Sequence, residues 1–143
     1  MRRPPYRVSE ALATHPRPEV ISIRGPEDVL AVCRGMQRLR VEEFRVLLLN
    51  ARHESIRKVT VSRGSLNASI VHPREVFRPA IVASAASLIL VHNHPSGDAE
   101  PSEEDLSITK RLVQVGELLG ISVLDHVIVA KHGCVSLRSR NAL

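Results

Sequence analysis

The stretch from Leu88 to Leu119 constrains this chain more than any other, because strand, polar loop and helix follow one another in it without interruption. Leu88 to Val91 is a short apolar run bounded by turn signals, the pattern of a buried strand. His92 to Pro101 reads HNHPSGDAEP and is rich in loop formers. From Ser102 apolar residues return at helical spacing, at Leu106, Ile108, Leu112, Val113, Val115, Leu118 and Leu119, until Gly120 supplies a stop. The remaining chain reads as what holds this loop still and completes its chemistry.

Upstream, Pro26-Glu-Asp-Val opens a helix, since proline suits the first helical position and acids suit the first turn. Its apolar face, Val29, Leu30, Val32, Cys33, Met36 and Leu39, carries it to about Leu39. Phe44 to Leu49 and Ile56 to Ser62 have strand character around the polar break Asn50 to Ser55, so together they read as a hairpin. A turn at Gly64 to Asn67 and an extended piece at Ala68 to Val71 lead to a helix from Pro73, in which Pro79 argues for a kink or an early break. Beyond the central unit, Ile121 to Val129 is strand-like with a polar interruption at Asp125 and His126, and Val135 to Leu137 adds an edge strand. This order of elements predicts an α/β fold, a mixed β-sheet flanked by helices. Residues 1–25 hold four of the nine prolines and read as an N-terminal arm with little to order it beyond a short edge strand or helical turn at Val20 to Ile23. Residues 26–143 read as one domain, in keeping with a length of 143 residues.

Composition narrows the function. Tyr6, Phe44 and Phe77 are the only aromatic residues, so the core is aliphatic and few side chains remain for stacking on exposed bases. A formal charge of +5 permits weak association of a basic surface with nucleic acid. The arginines between Arg34 and Arg63 show no recognition-helix spacing, however, and read as a solvated face. Cys33 and Cys134 lie far apart, match no CxxC pair and suit a reducing, cytoplasmic compartment. The N-terminus lacks the apolar run of a signal peptide, and the most apolar window, Ala80 to Val91, is broken by serines and shorter than the ~20 residues a spanning helix needs. No membrane partner is expected.

Two histidines at i and i+2 leaving a strand project to one side, so His92 and His94 can face a single ion. Asp105 returns from the helix to complete the three nitrogen or oxygen ligands of a catalytic zinc, which keeps a further position for water. Hydrolysis also needs a base and an oxyanion partner. Ser102 is the candidate donor to the oxyanion. Glu42 and Glu43 precede the strand at Phe44, and alternation puts Glu42 on the side of Phe44, Val46 and Leu48 and Glu43 beside Arg45. Glu42 is therefore the inward carboxylate and candidate base, whereas Glu43 reads as solvated. Taken alone, Ser102 and Asp105 fit a helix capping box better than a metal site. The conjunction of H-x-H, seven residues, S-x-x-D and an acidic strand start favours the metal. Asp125 and His126 read mainly as structural partners of each other in a strand, with a pair supporting the metal ligands from behind as the alternative, and Cys134 has no neighbouring base to make it a nucleophile.

This spacing resembles the JAMM motif of the MPN, or JAB, zinc metalloprotease family. HNHPSGDAEPSEEDLSITKRL, HPREVFRPAI and LDHVIVA are similar to the bacterial RadC proteins, from about Ile23 to the C-terminus. The resemblance implies a cytidine-deaminase-like fold, Zn²⁺ on His92, His94 and Asp105, water polarised by Glu42, and an oxyanion bound by Ser102. The family's E-x-F-x-V pattern falls on Glu42, Phe44 and Val46. RadC proteins usually carry an N-terminal helix-hairpin-helix region, for which the first 25 residues are too short, and the insertions that grip ubiquitin in eukaryotic relatives are not evident.

The function expected is thus zinc-dependent hydrolysis of a peptide or isopeptide bond in a peptide or protein substrate. The competing expectation is a DNA-associated repair or recombination protein, or nuclease, of the RadC type without peptidase activity. A third is a binding module with a structural or lost metal, against which the complete ligand set argues. The letters HNH are not those of an HNH nuclease, whose residues are dispersed, and the H-x-E with P-C-x-x-C signature of a deaminase is absent.

Overall fold

The computed structural model describes residues 20–64 and 71–143. The turn expected after Gly64, most of the extended piece after it and the arm up to residue 19 lie outside the described residues. The elements are β1 (Ile21–Ser22), α1 (Pro26–Val32), a 3-10 turn (Met36–Arg38), β2 (Glu43–Leu49), β3 (Glu54–Arg63), α2 (Pro73–Val82), β4 (Ser87–Asn93), α3 (Glu103–Leu119), β5 (Ser122–Ala130) and β6 (Gly133–Ser136). The strands form one six-stranded sheet in the order β1-β3-β2-β4-β5-β6. Every neighbouring pair is antiparallel except β4 and β5, which are parallel and joined through α3. The fold is therefore the mixed α/β sheet flanked by helices that the element order predicts.

The central strands β2 and β4 are apolar on both faces because both faces are covered. On one face Phe44, Val46, Leu48, Leu88 and Leu90 pack against Val76, Phe77 and Ala80 of α2 and Ile108 and Leu112 of α3. On the other, Leu47, Leu49, Ile89, Val91, Val127 and Val129 meet Ile23, Val29, Cys33 and Met36. Each buried Leu, Ile or Val contributes roughly 1.5–3 kcal/mol of transfer free energy, so an aliphatic core replaces the missing aromatics. Among the described residues no helix is long and apolar enough to cross a membrane.

Local departures from expectation have physical causes. The first helix ends at Val32, short of Leu39, because Gly35 adopts φ +96° and the chain re-enters a 3-10 turn. Val29, Cys33 and Met36 are buried all the same. The second helix does not break at Pro79 but runs to Val82. The carbonyl that Pro79 cannot satisfy belongs to exposed Glu75, where water can take its place. Nor is β5 interrupted at Asp125 and His126. Its irregularity lies one residue earlier, where Leu88 pairs with Val123 but Ile89 with Asp125, leaving Leu124 as a bulge. After the bulge His126 stands beside Leu90, on the face shared with Phe44 and His92.

The buried stripe of α3 also differs from its apolar pattern. Asp105, Ile108, Thr109, Leu112 and Gly116 face inward, while Leu106, Leu118 and Leu119 are exposed. Two polar residues one turn apart, Asp105 and Thr109, thus reach the end of the sheet where β4 stops.

Candidate metal centre

The C-terminal end of β4 is the meeting point of three elements. β2 runs antiparallel to β4 with Phe44 opposite His92, so the start of β2 lies beside the end of β4. Asn93, between the two histidines, fastens this junction: its Oδ1 accepts the Glu43 N–H at 2.7 Å and its Nδ2 donates to the Val41 carbonyl at 3.1 Å. The His94 N–H is held by the Val129 carbonyl of β5 at 2.9 Å. Beyond His94 the loop turns back through Gly97, whose φ of +93° favours glycine, and the Asp98 carbonyl lies 2.8 Å from His94 Nδ1.

Ser102 caps α3, and the cap is a full capping box. Ser102 Oγ accepts the Asp105 N–H at 3.1 Å, and Asp105 Oδ2 accepts the Ser102 N–H at 2.8 Å. The same carboxylate faces both histidines, with Oδ1 at 3.1 Å from His92 Nε2 and Oδ2 at 3.1 Å from His94 Nε2. Capping and convergence on the histidines are therefore one arrangement, since the cap is what aims the carboxylate. Donor atoms of His92, His94 and Asp105 all lie within 4.8 Å of one another, and His92 and Asp105 are buried.

This donor set fits a metal ion. The Asp98 carbonyl can only accept, so His94 Nδ1 carries the hydrogen and a neutral His94 presents a lone pair at Nε2. That lone pair points at a carboxylate oxygen, an arrangement that requires either an added proton or a cation. Burial opposes the charge on Asp105, but its bonds to His92 and His94 outweigh this and hold the carboxyl far below its usual range. His94 is shifted up, chiefly by its bond to Asp105 against the opposing effect of burial, with help from the Asp98 carbonyl and the charges of Asp105 and Glu42. His126 is pushed well below the ordinary histidine value by complete burial, reinforced by His92.

The two glutamates divide differently from expectation. Glu42 is half-buried just before β2, and its charge reaches His94. Glu43 is not solvated: it is only 4% exposed and is gripped by Arg45 at 2.6 Å and Arg63 at 2.9 Å. The antiparallel register sets Glu43 opposite Arg63, and two guanidinium groups replace the water its carboxylate would otherwise need. Ser102 is exposed beside the ligand group, and the cap uses its oxygen as acceptor, so the hydroxyl hydrogen is available to a ligand. Cys134 lies in β6, where burial raises its thiol pKa, with Glu27 and Asp125 adding to the rise.

Sequence reasoning did not single out Thr109, and it paired Asp125 with His126. The structure keeps the pairing at the His126 backbone but sends the His126 ring to other partners. Asp125 accepts the Ser136 hydroxyl and the N–H groups of His126 and Arg138, whereas the His126 ring lies 2.8 Å from His92 Nδ1 and 2.5 Å from Thr109 Oγ1. The available signal was the four-residue spacing of Asp105 and Thr109 on one helix. A groove of about 930 Å³ opens beside the His94 loop, lined among others by Arg38, Arg40, Asp98 and Lys131. A second groove, of about 940 Å³, is lined by Arg24, Arg52 and Arg138 among others, and neither groove is lined by His92, His94 or Asp105 themselves.

Comparison with known proteins agrees with this geometry. The family model for the RadC-like JAB domain matches residues 23–142. A UPF0758 protein of Desulforamulus reducens is 49% identical over 133 residues, covering 92% of this chain and 59% of that protein. UPF0758 proteins of Caldanaerobacter subterraneus subsp. tengcongensis and Halalkalibacterium halodurans are 53% and 55% identical, each over 85% of this chain and 53% of their own length. The chain thus spans a little over half the length of these curated relatives.

Proposed function

The chain belongs to the RadC-like JAB domain family, and from that premise we propose that it is a zinc-dependent hydrolase of amide bonds, in peptide or isopeptide linkage. The observation that carries this reading is the convergence of His92, His94 and Asp105 on one point, with the carboxylate aimed by its own helix cap. Zinc held there would act as a Lewis acid and lower the pKa of a bound water.

The remaining roles fall to groups of the chain itself. Glu42, half-buried at the start of β2 with its charge felt at His94, takes a proton from the attacking water and delivers it to the leaving amine. Ser102, with its hydroxyl hydrogen uncommitted, donates to the oxyanion as it develops. Asn93 keeps Glu42 beside the site by fastening the neighbouring backbone of Val41 and Glu43. The substrate is a peptide or protein segment lying in the groove between Arg38, Arg40 and Lys131. Both cysteines are free thiols, in keeping with a reducing cytoplasm.

The test is cleavage of an unbiased peptide library by the zinc-loaded wild type and by Glu42→Gln. Cuts made by the wild type and lost in the variant, with zinc retained in both, support the proposal; equal cutting by the two removes Glu42 as the base. A second reading, nucleic-acid association without peptidase activity, is favoured by one observation: Arg38, Arg40 and Lys131 line one groove, a concentration of positive charge suited to a phosphate backbone. Tight binding of duplex or single-stranded DNA with a steep salt slope, surviving chelation, together with no cut in any peptide, would select it.

A further inference from the structure

We infer that Thr109 and His126 are positioning residues that determine which nitrogen of His92 faces the metal position, an inference resting on the proposed metal-holding role of His92, His94 and Asp105. Four polar groups form a closed circuit around His92. The Thr109 hydroxyl donates to the Asp105 backbone carbonyl at 2.6 Å and lies 2.5 Å from His126 Nδ1. His126 Nε2 lies 2.8 Å from His92 Nδ1, and His92 Nε2 returns to within 3.1 Å of Asp105 Oδ1. One aspartate is thus reached at its backbone and at its side chain by the two ends of the circuit.

The hydrogens in this circuit can point in one of two directions. Thr109 and His126 are fully buried and His92 is 1% exposed, so these groups must satisfy one another. A threonine hydroxyl has one hydrogen. With that hydrogen on the Asp105 carbonyl, Thr109 Oγ1 accepts from His126 Nδ1–H, His126 Nε2 accepts from His92 Nδ1–H, and His92 Nε2 is left with a lone pair. In the opposite direction Thr109 donates to His126, His126 donates to His92, and a hydrogen sits on His92 Nε2 where a metal would bind. Only the first direction makes His92 a ligand. The Thr109 bond to the carbonyl one helical turn back selects that direction.

Phe44 holds both rings in place while the hydrogens set the tautomer. It stacks on His92 with ring centroids 6.0 Å apart and a 20° tilt, and meets His126 edge-on at 5.6 Å. β2, β5 and α3 therefore contribute Phe44, His126 and the pair Asp105 and Thr109 to the orientation of His92 on β4. The bulge at Leu124 is what brings β5 into this register.

The test is zinc affinity of the full chain, read by competition with a chromophoric chelator, together with ¹⁵N NMR of the histidine ring nitrogens in the zinc-free wild type. Removing a partner behind a metal-bound histidine lowers affinity about 10- to 100-fold, so Thr109→Val should weaken zinc by that factor while Thr109→Ser stays within about twofold of wild type. The ring spectra should show the His126 hydrogen on Nδ1, facing Thr109, with Nε2 left to accept from His92. Wild-type affinity in Thr109→Val, or a hydrogen on His126 Nε2, would overturn the inference. His94→Ala and Asp105→Ala separate the two levels: if they lose zinc while Thr109→Val keeps it, only the positioning role fails. If they bind as wild type does, the metal site itself fails, and the ring spectra still decide the direction of the circuit. Thermal melting of each variant separates loss of the hydrogen bond from loss of the fold.

Discussion

Asp105 shows how a single residue can be read two ways and be both. As the third residue of α3 it completes a capping box, and as a carboxylate it faces two imidazoles. Ser102→Ala removes the side-chain half of that box and should cost about 0.5–2 kcal/mol in urea unfolding. It should also weaken zinc binding, because the carboxylate loses the frame that aims it; unchanged affinity would show that Asp105 is positioned without the cap. The two glutamates give a paired prediction. Glu43→Gln strips the charge from a buried carboxylate held by Arg45 and Arg63, and should lower stability by about 1–3 kcal/mol while sparing the chemistry. Glu42→Gln should leave the unfolding midpoint near wild type and abolish amide hydrolysis. Alternation along the strand sets Glu43 on the side of Arg45, where the structure has it. It could not tell that the face of Glu43 would be closed over by Arg63, a partner twenty residues away on β3.

At the scale of elements, α3 does most to assemble the site, because its inward stripe carries Asp105 and Thr109 at one end and Gly116 towards the other. Glycine inside a helix usually gains stability on replacement by alanine, by roughly 0.5–1 kcal/mol. Gly116 should behave oppositely. A Cβ there would stand 2.5 Å from the Ile121 carbonyl oxygen and 3.4 Å from Phe77 and Val123 side-chain carbons, and the nearest of these is backbone that cannot turn aside. Gly116→Ala should therefore lower the melting temperature, at a cost of about 1–3 kcal/mol, and a rise instead would mean that α3 can slide outward from β5. The helical spacing from Leu106 to Leu119 was legible in the sequence, but the buried side was not, since Asp105, Thr109 and Gly116 face inward while three leucines remain exposed. The bulge at Leu124 was equally hidden: nothing local marks it, and it shows only in the pairing of β5 with β4.

For the whole molecule, metal binding and folding should be linked through His94. In the zinc-free protein His94 titrates above its ordinary value of 6.5, so its interaction with Asp105 stabilises the fold fully below that pH and is lost as pH rises through the raised value. Asp105, held below its ordinary value of 3.8, contributes above that value and fails only in strong acid. Zinc needs the nitrogen that the proton occupies, so its effect has the opposite sign. Zinc at about 1,000 times its dissociation constant should add roughly 4 kcal/mol where His94 is neutral, and the rise in melting temperature should shrink as pH falls through the raised His94 value. A zinc increment that grew in acid would contradict this linkage. The sequence by itself determined the order of the elements, the aliphatic core and the identities of His92, His94, Ser102 and Asp105, because helix caps, strand alternation and turn residues act over a few positions. Only the tertiary structure decided that the charge of Glu42 is felt at His94, that Glu43 is buried, and that Thr109 and His126 lie behind His92. Those relations depend on strand order, on register and on one bulge, and each is a long-range pairing whose energy no local pattern records.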